Sequence, residues 1–223
     1  MYTISHISKS YQKKPILQDV SFTLKPGTCA GILGSNGSGK STLLQILSGV
    51  IRPDLGDFLL EDHSLLKDRK TLPQKVGYVP QQDTLMEELS GYDNLRLWYS
   101  REQIRNACLP GGILSLLGVD TFMQKRVSKM SGGMKKRVSI ACAVLGNPGL
   151  LLLDEPSAGL DIPCKEKIYE YYRSFRQAGG TILLVTHDLQ ELQFCDETFL
   201  LRDGSLRPYH YNGVFGDLAK ELM

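Results

Sequence analysis

The chain has 223 residues, 26 Lys and Arg against 24 Asp and Glu for a formal net charge of +2, and 42% hydrophobic content. That is enough to bury a real core, and too near neutrality to argue for a nucleic-acid partner. No apolar run approaches the ~18 residues of a membrane span and no leader-like apolar region opens the chain, so any membrane role is expected to need a partner.

From Tyr2 to Leu24 apolar and polar residues alternate, rich in Ile, Val, Phe and Thr, which predicts strands with one buried face before a turn at Lys25-Pro26-Gly27. The apolar run Cys29–Leu33 then meets Gly34-Ser35-Asn36-Gly37-Ser38-Gly39-Lys40-Ser41, a fit to G-x-x-x-x-G-K-[ST], and Thr42 to Leu47 reads as a helix. Strand, glycine loop and helix N-terminus together make a phosphate cradle. Glycines at 34, 37 and 39 admit positive φ, so successive N–H groups turn inward towards the positive end of the helix dipole. Lys40 is expected to reach the β- and γ-phosphates and the Ser41 hydroxyl to take a place on Mg²⁺. Gly34, Ser35, Asn36, Gly37, Ser38, Gly39, Lys40, Ser41 and Thr42 are therefore the expected nucleotide-binding run.

Gly56–Leu60 predicts a further strand of an antiparallel layer, and Val76–Val79 a short strand closed by Pro80 that leads into Gln81-Gln82-Asp83. Between Leu85 and Leu117 the spacing turns helical, with Leu95 and Trp98, then Ile113, Leu114 and Leu117, on recurrent faces, broken by Pro110-Gly111-Gly112. Ser131-Gly132-Gly133 opens a helix over Met134–Leu145, with exposed N–H groups at its start and Lys135-Lys136-Arg137 read as one face of it. Leu150–Leu153 is an unbroken apolar run ending in Asp154-Glu155-Pro156, the pattern of a doubly buried strand that carries carboxylates to the edge where parallel sheets bind ligands. A helix from about Pro163 to Gln177 follows, and a second buried strand, Thr181–Thr186, brings His187 to that edge. A hairpin around Asp203-Gly204 and a short terminal helix complete the expected elements. Five widely spaced cysteines without a C-x-x-C pair suggest neither a disulfide framework nor a zinc site and suit a reducing cytoplasm.

A glycine loop with a distant strand ending in Asp marks P-loop nucleotidases at large. The ordered set Gln81, Ser131-Gly132-Gly133, Asp154-Glu155, Ser157-Ala158-Gly159-Leu160-Asp161 and His187 is more specific, and with it the chain resembles the ATP-binding cassette (ABC) ATPases from Tyr11 to the strand before His187. The resemblance implies an α/β fold: a P-loop NTPase (RecA-like) core with a parallel sheet, an N-terminal antiparallel β layer and a helical insert. It implies one domain over 1–223, with the core in 1–84 and 147–223 and the insert with its signature motif in 85–146. It further implies ATP and Mg²⁺ as ligands and two cassettes, a homodimer or a pair of related chains, closing head to tail around two ATP molecules.

Carried over by motif, Ser41, Gln81 and Asp154 serve the metal, Glu155 is the general base, and His187 stands near the γ-phosphate. Asp161 communicates across the dimer, while Ser131, Gly132 and Gly133 face the partner's ATP. Tyr11 occupies the position of an adenine-stacking aromatic, the alternative being a core or surface tyrosine. Gln82 competes with Gln81, which the spacing after Tyr78-Val79-Pro80 favours. The signature reads Met130-Ser131-Gly132-Gly133-Met134 where the family has Leu-Ser-Gly-Gly-Gln, so Met134 lacks a side-chain amide. That methionine, the basic residues after it and the run Glu87–Leu95 resemble exporters with a separate multi-span permease. The implied function is an ATP-hydrolysing transporter subunit, peripheral on the cytoplasmic face, docking its permease near Leu85, Met86, Leu89 and Tyr92. Alternatives are an importer subunit or a non-transport ATPase of DNA repair or translation, against which stand the lack of sustained heptads and the single cassette.

Overall fold

The computed structural model describes residues 1–210. Alternation at the start of the chain gives β1 (Tyr2–Tyr11) and β2 (Lys14–Leu24), an antiparallel pair in register Tyr2↔Leu24 and Tyr11↔Lys14. Inward residues of β1 run Tyr2, Ile4, Ile7, so the period of two slips by one at His6, whose φ is 54°. The register shifts between Ile4 and Ile7, a bulge that returns Ile7 to the core face. After β3 (Cys29–Leu33) and α1 (Lys40–Leu47), β4 (Leu55–Leu60) pairs with the other edge of β1, and β5 (His63–Ser64) pairs with β4. The result is the antiparallel layer expected from the sequence, in order β2-β1-β4-β5.

The second sheet is assembled from distant parts of the chain. After α2 (Leu72–Lys75) come β6 (Val76–Val79) and the short helices α3 (Gly91–Arg96), α4 (Arg101–Ala107) and α5 (Ile113–Leu116). Next are α6 (Gly132–Val144), β7 (Leu150–Asp154), α7 (Ile162–Gln177) and β8 (Thr181–Val185). Helix α8 (Leu189–Phe194) then leads to β9 (Glu197–Arg202) and β10 (Ser205–Tyr209). The order is β10-β9-β3-β8-β7-β6, every pairing parallel except the β9–β10 hairpin. The short terminal helix expected after that hairpin lies outside the described residues.

This sheet separates two apolar cores. Leu150 and Leu152 of β7 and Leu183 and Val185 of β8 join α1 and the antiparallel layer. Their neighbours Leu151, Leu153, Ile182 and Leu184 join α6, α7 and the helical segment. Strict alternation on strands with no exposed residue is what a sheet covered on both faces requires.

The helical segment is choppier than its spacing predicts. Capping boxes at Ser90/Asp93 and Ser100/Gln103 start α3 and α4, and helix α3 is already ending at Leu97. The spacing from Leu95 to Trp98 therefore does not share a face: Leu95 is buried and Trp98 is 75% exposed. Nor do Lys135, Lys136 and Arg137 form one face. Consecutive helical residues point about 100° apart, and while Lys135 reaches Glu87, Lys136 is buried and Arg137 bonds the Leu117 carbonyl and lies over the Phe122 ring.

On α7, Tyr172 is fully buried between its aromatic neighbours, and its hydroxyl has no hydrogen-bond partner among the described residues. Tyr172→Phe removes that unmet donor, so the unfolding free energy should hold or rise, by about 1 kcal/mol. A loss of stability in urea titrations would show the hydroxyl to be paired.

Candidate active site

Leaving β3, the chain turns through a loop whose first and last glycines have no room for a side chain. A Cβ on Gly34 would stand 2.5 Å from the Leu201 carbonyl oxygen and 2.6 Å from Ser38 Oγ. Gly39, at φ 106°, caps α1 in the left-handed region, against Ile16 and Leu17 of β2. Lys40 folds inward, its Nζ donating to the carbonyls of Gly34 at 2.7 Å and Ser35 at 2.9 Å. Burial lowers its pKa, opposed by the charges of Glu155 and Asp154. The first turn of α1 has no acidic residue, so the positive end of its dipole is left for an anion. In the same loop Ser38 Oγ is buried and has no hydrogen-bond partner among the described residues.

A cleft of about 440 Å³ opens over this loop, lined by Asn36, Gly37, Gly39, Lys40, Ser41, Thr42, Gln81 and Glu155, with Tyr11 and Ile16 at its rim. Tyr11 is 45% exposed, its ring 5.5 Å from Lys9 Nζ. The alternative of a core tyrosine is excluded by that exposure.

Sheet order delivers the remaining groups. Strands β3, β8, β7 and β6 lie side by side and run parallel, so their carboxyl ends set the loop, His187, Asp154-Glu155 and Gln81 in a row. Asp154 still belongs to β7 and is buried; burial raises its pKa, against a hydrogen bond from Ser41. Glu155 leaves the strand line. Its φ is 46°, a left-handed turn unusual for a side chain, and its N–H bonds the Val185 carbonyl at 2.8 Å. The turned carboxylate accepts from Gln81 Nε2 at 2.9 Å, and its other oxygen is 3.6 Å from His187 Nε2. Gln82 is exposed and makes no such contact in the cleft. His187 is itself held from behind, where Thr186 donates to buried Glu191 and accepts from the Asp188 N–H at 2.9 Å, and Asp188 pairs with Lys165 of α7.

A family model described as ABC transporter matches residues 17–158. This chain belongs to the ABC transporter family. It is 31% identical to the linearmycin resistance ATP-binding protein LnrL of Bacillus subtilis (strain 168), over 92% of this chain and 68% of that protein. It is 36% identical to the Nod factor export ATP-binding protein I of Rhizobium meliloti (strain 1021), over 90% of this chain and 61% of that one. The chain thus spans about two thirds or less of the length of these curated relatives. A dimeric post-hydrolysis state of the ATP-binding cassette MJ0796, bound to ADP and Pi, superposes with a TM-score of 0.84 at 28% identity, covering 96% of this chain and all of that one. An ATP-binding subunit of an ABC transporter gives 0.87 at 26% identity, covering 100% and 99%. The chain has the fold of an ABC ATPase cassette.

The remaining motif residues gather at a second place on the cassette, outside the cleft. Ser131 caps α6, accepting from the Met134 N–H at 3.3 Å, and Asp161 caps α7, accepting from the Cys164 N–H at 3.0 Å. Cys164 joins them, its thiol donating to the Gly133 carbonyl at 3.5 Å. Ser131, Gly132 and Asp161 are exposed. A Cβ on Gly132 would meet nothing, whereas one on Gly133 would press on Cys164 Sγ at 2.7 Å. Residues the motifs did not flag are Ile16 at the cleft rim, Cys164, and Lys136 behind Gln81. A signal for Lys136 was present: it precedes Ile140 and Val144 by four and eight residues, on the buried stripe of α6.

Burial and the Lys40 charge lower the His187 pKa, with Glu155 opposing. The unfolded chain therefore binds more protons just below pH 6.5, so this contribution to stability is complete above 6.5 and is lost as the pH falls through the folded value. His187→Gln should flatten the corresponding part of the profile of urea midpoint against pH between about 7 and 5. An unchanged slope would remove His187 as its source.

Proposed function

We propose that the cleft binds ATP with Mg²⁺ and hydrolyses it, with Glu155 as general base, and that this drives a membrane permease. The observation that carries the reading is the convergence of Gln81 and His187 on the two oxygens of Glu155, beside the Ser41–Asp154 pair at the mouth of the phosphate loop. Hydroxyl, carboxylate and amide oxygens from Ser41, Asp154 and Gln81 form the hard donor set that suits Mg²⁺. Among the described residues no three of His, Cys, Asp and Glu gather to hold a metal by themselves, in keeping with a cation that arrives on phosphate oxygens. When bound, Mg²⁺ neutralises charge on the β- and γ-phosphate oxygens.

The loop N–H groups from Gly34 to Thr42 and the Lys40 ammonium hold the phosphates, and Tyr11 stacks on the base. Glu155 takes a proton from a water attacking the γ-phosphorus in line, as the bond to the bridging oxygen of ADP breaks. Gln81 orients that carboxylate and His187 supports the γ-phosphate. In a head-to-tail pair of cassettes, Ser131, Gly132 and Gly133 close on the partner's nucleotide and Asp161 reports across the interface. The dimeric neighbour supports this arrangement, and relatives named for export and resistance support outward transport.

Among the described residues no helix is long and apolar enough to cross a membrane. In this reading the permease is a separate chain that meets the cassette from the cytoplasmic face. Met86 is the exposed apolar member of the proposed docking set at 52%, its backbone clipped by the Asn94 side chain, whereas Leu85 and Tyr92 pack partly into the core. Met86→Glu should abolish co-purification with the permease while the isolated subunit still binds ATP; normal assembly and transport would move the docking surface elsewhere.

Glu155→Gln should bind ATP as the wild type does and hydrolyse it roughly 10²- to 10⁴-fold more slowly in a phosphate-release assay. Near-normal turnover would overturn Glu155 as the base. Tyr11→Ala should weaken ATP binding by ~1–3 kcal/mol, the scale of aromatic stacking on a base, and Tyr11→Phe hardly at all. Equal affinities in calorimetric titrations would leave Tyr11 without a role in binding.

A further inference from the structure

Lys136 takes no part in the chemistry above, yet its side chain is only 6% exposed. Its Nζ donates to the Pro80 carbonyl at 3.2 Å and the Gln81 carbonyl at 3.1 Å, and pairs with Asp83 Oδ1 at 3.1 Å. Burying an ammonium is costly unless charge and hydrogen bonds compensate it, and here both do. The identity of the two carbonyls matters. They belong to the peptide units on either side of the Gln81 Cα, so holding both planes restrains φ and ψ of Gln81 and hence the direction in which its Cα–Cβ bond leaves the backbone. That side chain ends 2.9 Å from Glu155 Oε2.

The connection runs the other way as well. Lys136 stands on α6, whose cap is Ser131 and whose first residues are Gly132 and Gly133. Lys135 next to it pairs with Glu87 at 2.6 Å, and the N–H groups of Val127 and Ser128 bond the carbonyls of Leu89 and Glu87 at 2.9 and 3.0 Å. The segment after Gln81 is thereby held along its length to the segment that carries the signature residues.

We infer that Lys136 is a positioning residue: through the carbonyls of Pro80 and Gln81 it aims Gln81 at Glu155, and through α6 it ties that aim to the edge bearing Ser131 and Gly133. The inference rests on the reading of Glu155 as the base. In a cassette pair, a shift of Gln81 over one nucleotide then moves the residues that face the other, and ATP dependence becomes cooperative.

The test uses the purified full chain. Hydrolysis by the wild type and its loss in Glu155→Gln check the underlying reading first; if Glu155→Gln turns over normally, the base assignment fails and this inference with it. Lys136→Met should keep binding of a fluorescent ATP analogue within about threefold while kcat falls roughly tenfold and the Hill coefficient drops towards one, the scale of coupling through a shared network. The deciding arm is a double-mutant cycle: in a Gln81→Ala background, Lys136→Met should cost no further turnover. Lys167→Met, whose partner Glu170 lies exposed one turn along α7, should stay within about twofold of wild type. Should the methionine variant not fold, Lys136→Gln carries the same non-additivity. An unchanged kcat in a folded Lys136 variant, or a full multiplicative loss on top of Gln81→Ala, overturns the inference while leaving Glu155 in place.

Discussion

Parallel pairing of β6, β7, β8 and β3 is the constraint on which the active site depends. With Val79 opposite Leu153, Asp154 opposite Val185 and Ile32 opposite Val185, the carboxyl ends of four strands come level. Neighbouring strands stand about 4.8 Å apart, so backbone pairing sets Gln81, Asp154, His187 and the glycine loop along one edge, with adjacent strand ends within side-chain reach. What backbone pairing cannot do is face two adjacent carboxylates in different directions. The left-handed turn at Glu155 does that, at a cost on the order of 1–3 kcal/mol, and the bond from its N–H to Val185 helps hold it.

Electrostatics in the row are tuned mainly by burial. The Lys40 and Asp154 charges are both disfavoured by lost hydration and both favoured by their opposite neighbours, so neither stands alone. Behind His187, burial raises the Glu191 pKa, with the Thr186 hydroxyl opposing. For Asp188, burial works upwards, but bonds from Lys165 and from nearby backbone N–H groups bring its pKa down. Lys40, Asp154 and Asp188 thus each face an opposite charge, as low-dielectric surroundings demand, while one oxygen of buried Glu191 has no hydrogen-bond partner among the described residues.

Much of this was legible in the sequence because it is encoded locally. The glycine loop needs its own glycines, and Leu150–Leu153 needs only to be apolar throughout to read as a strand buried twice. The antiparallel layer was legible from alternation, apart from the bulge at His6, which depends on pairing with both β2 and β4. The features that escaped depend on remote partners. Lys136 looks like one residue of a basic run until Pro80, Gln81 and Asp83, more than fifty positions earlier, supply its acceptors. Trp98 looks like the next turn of a helix that in fact ends at Leu97, just before the capping box at Ser100 starts another. The bonds of Gly133 and Asp161 to Cys164 join two helix starts that no local pattern connects.

The central sheet also acts as a partition. Residues adjacent along β7, such as Leu151 and Leu152, belong to different cores and share no packing partner across the sheet. Neighbours in sequence are therefore strangers in space. Substitutions on the side of α1 and the antiparallel layer can accumulate without forcing repacking around α6 and α7, because a strand transmits little volume from one face to the other. A change of volume at Leu152 is met by α1 and the antiparallel layer, and one at Leu151 by α6 and α7. The residues that must change in concert are those at the carboxyl edge, where the two compartments meet.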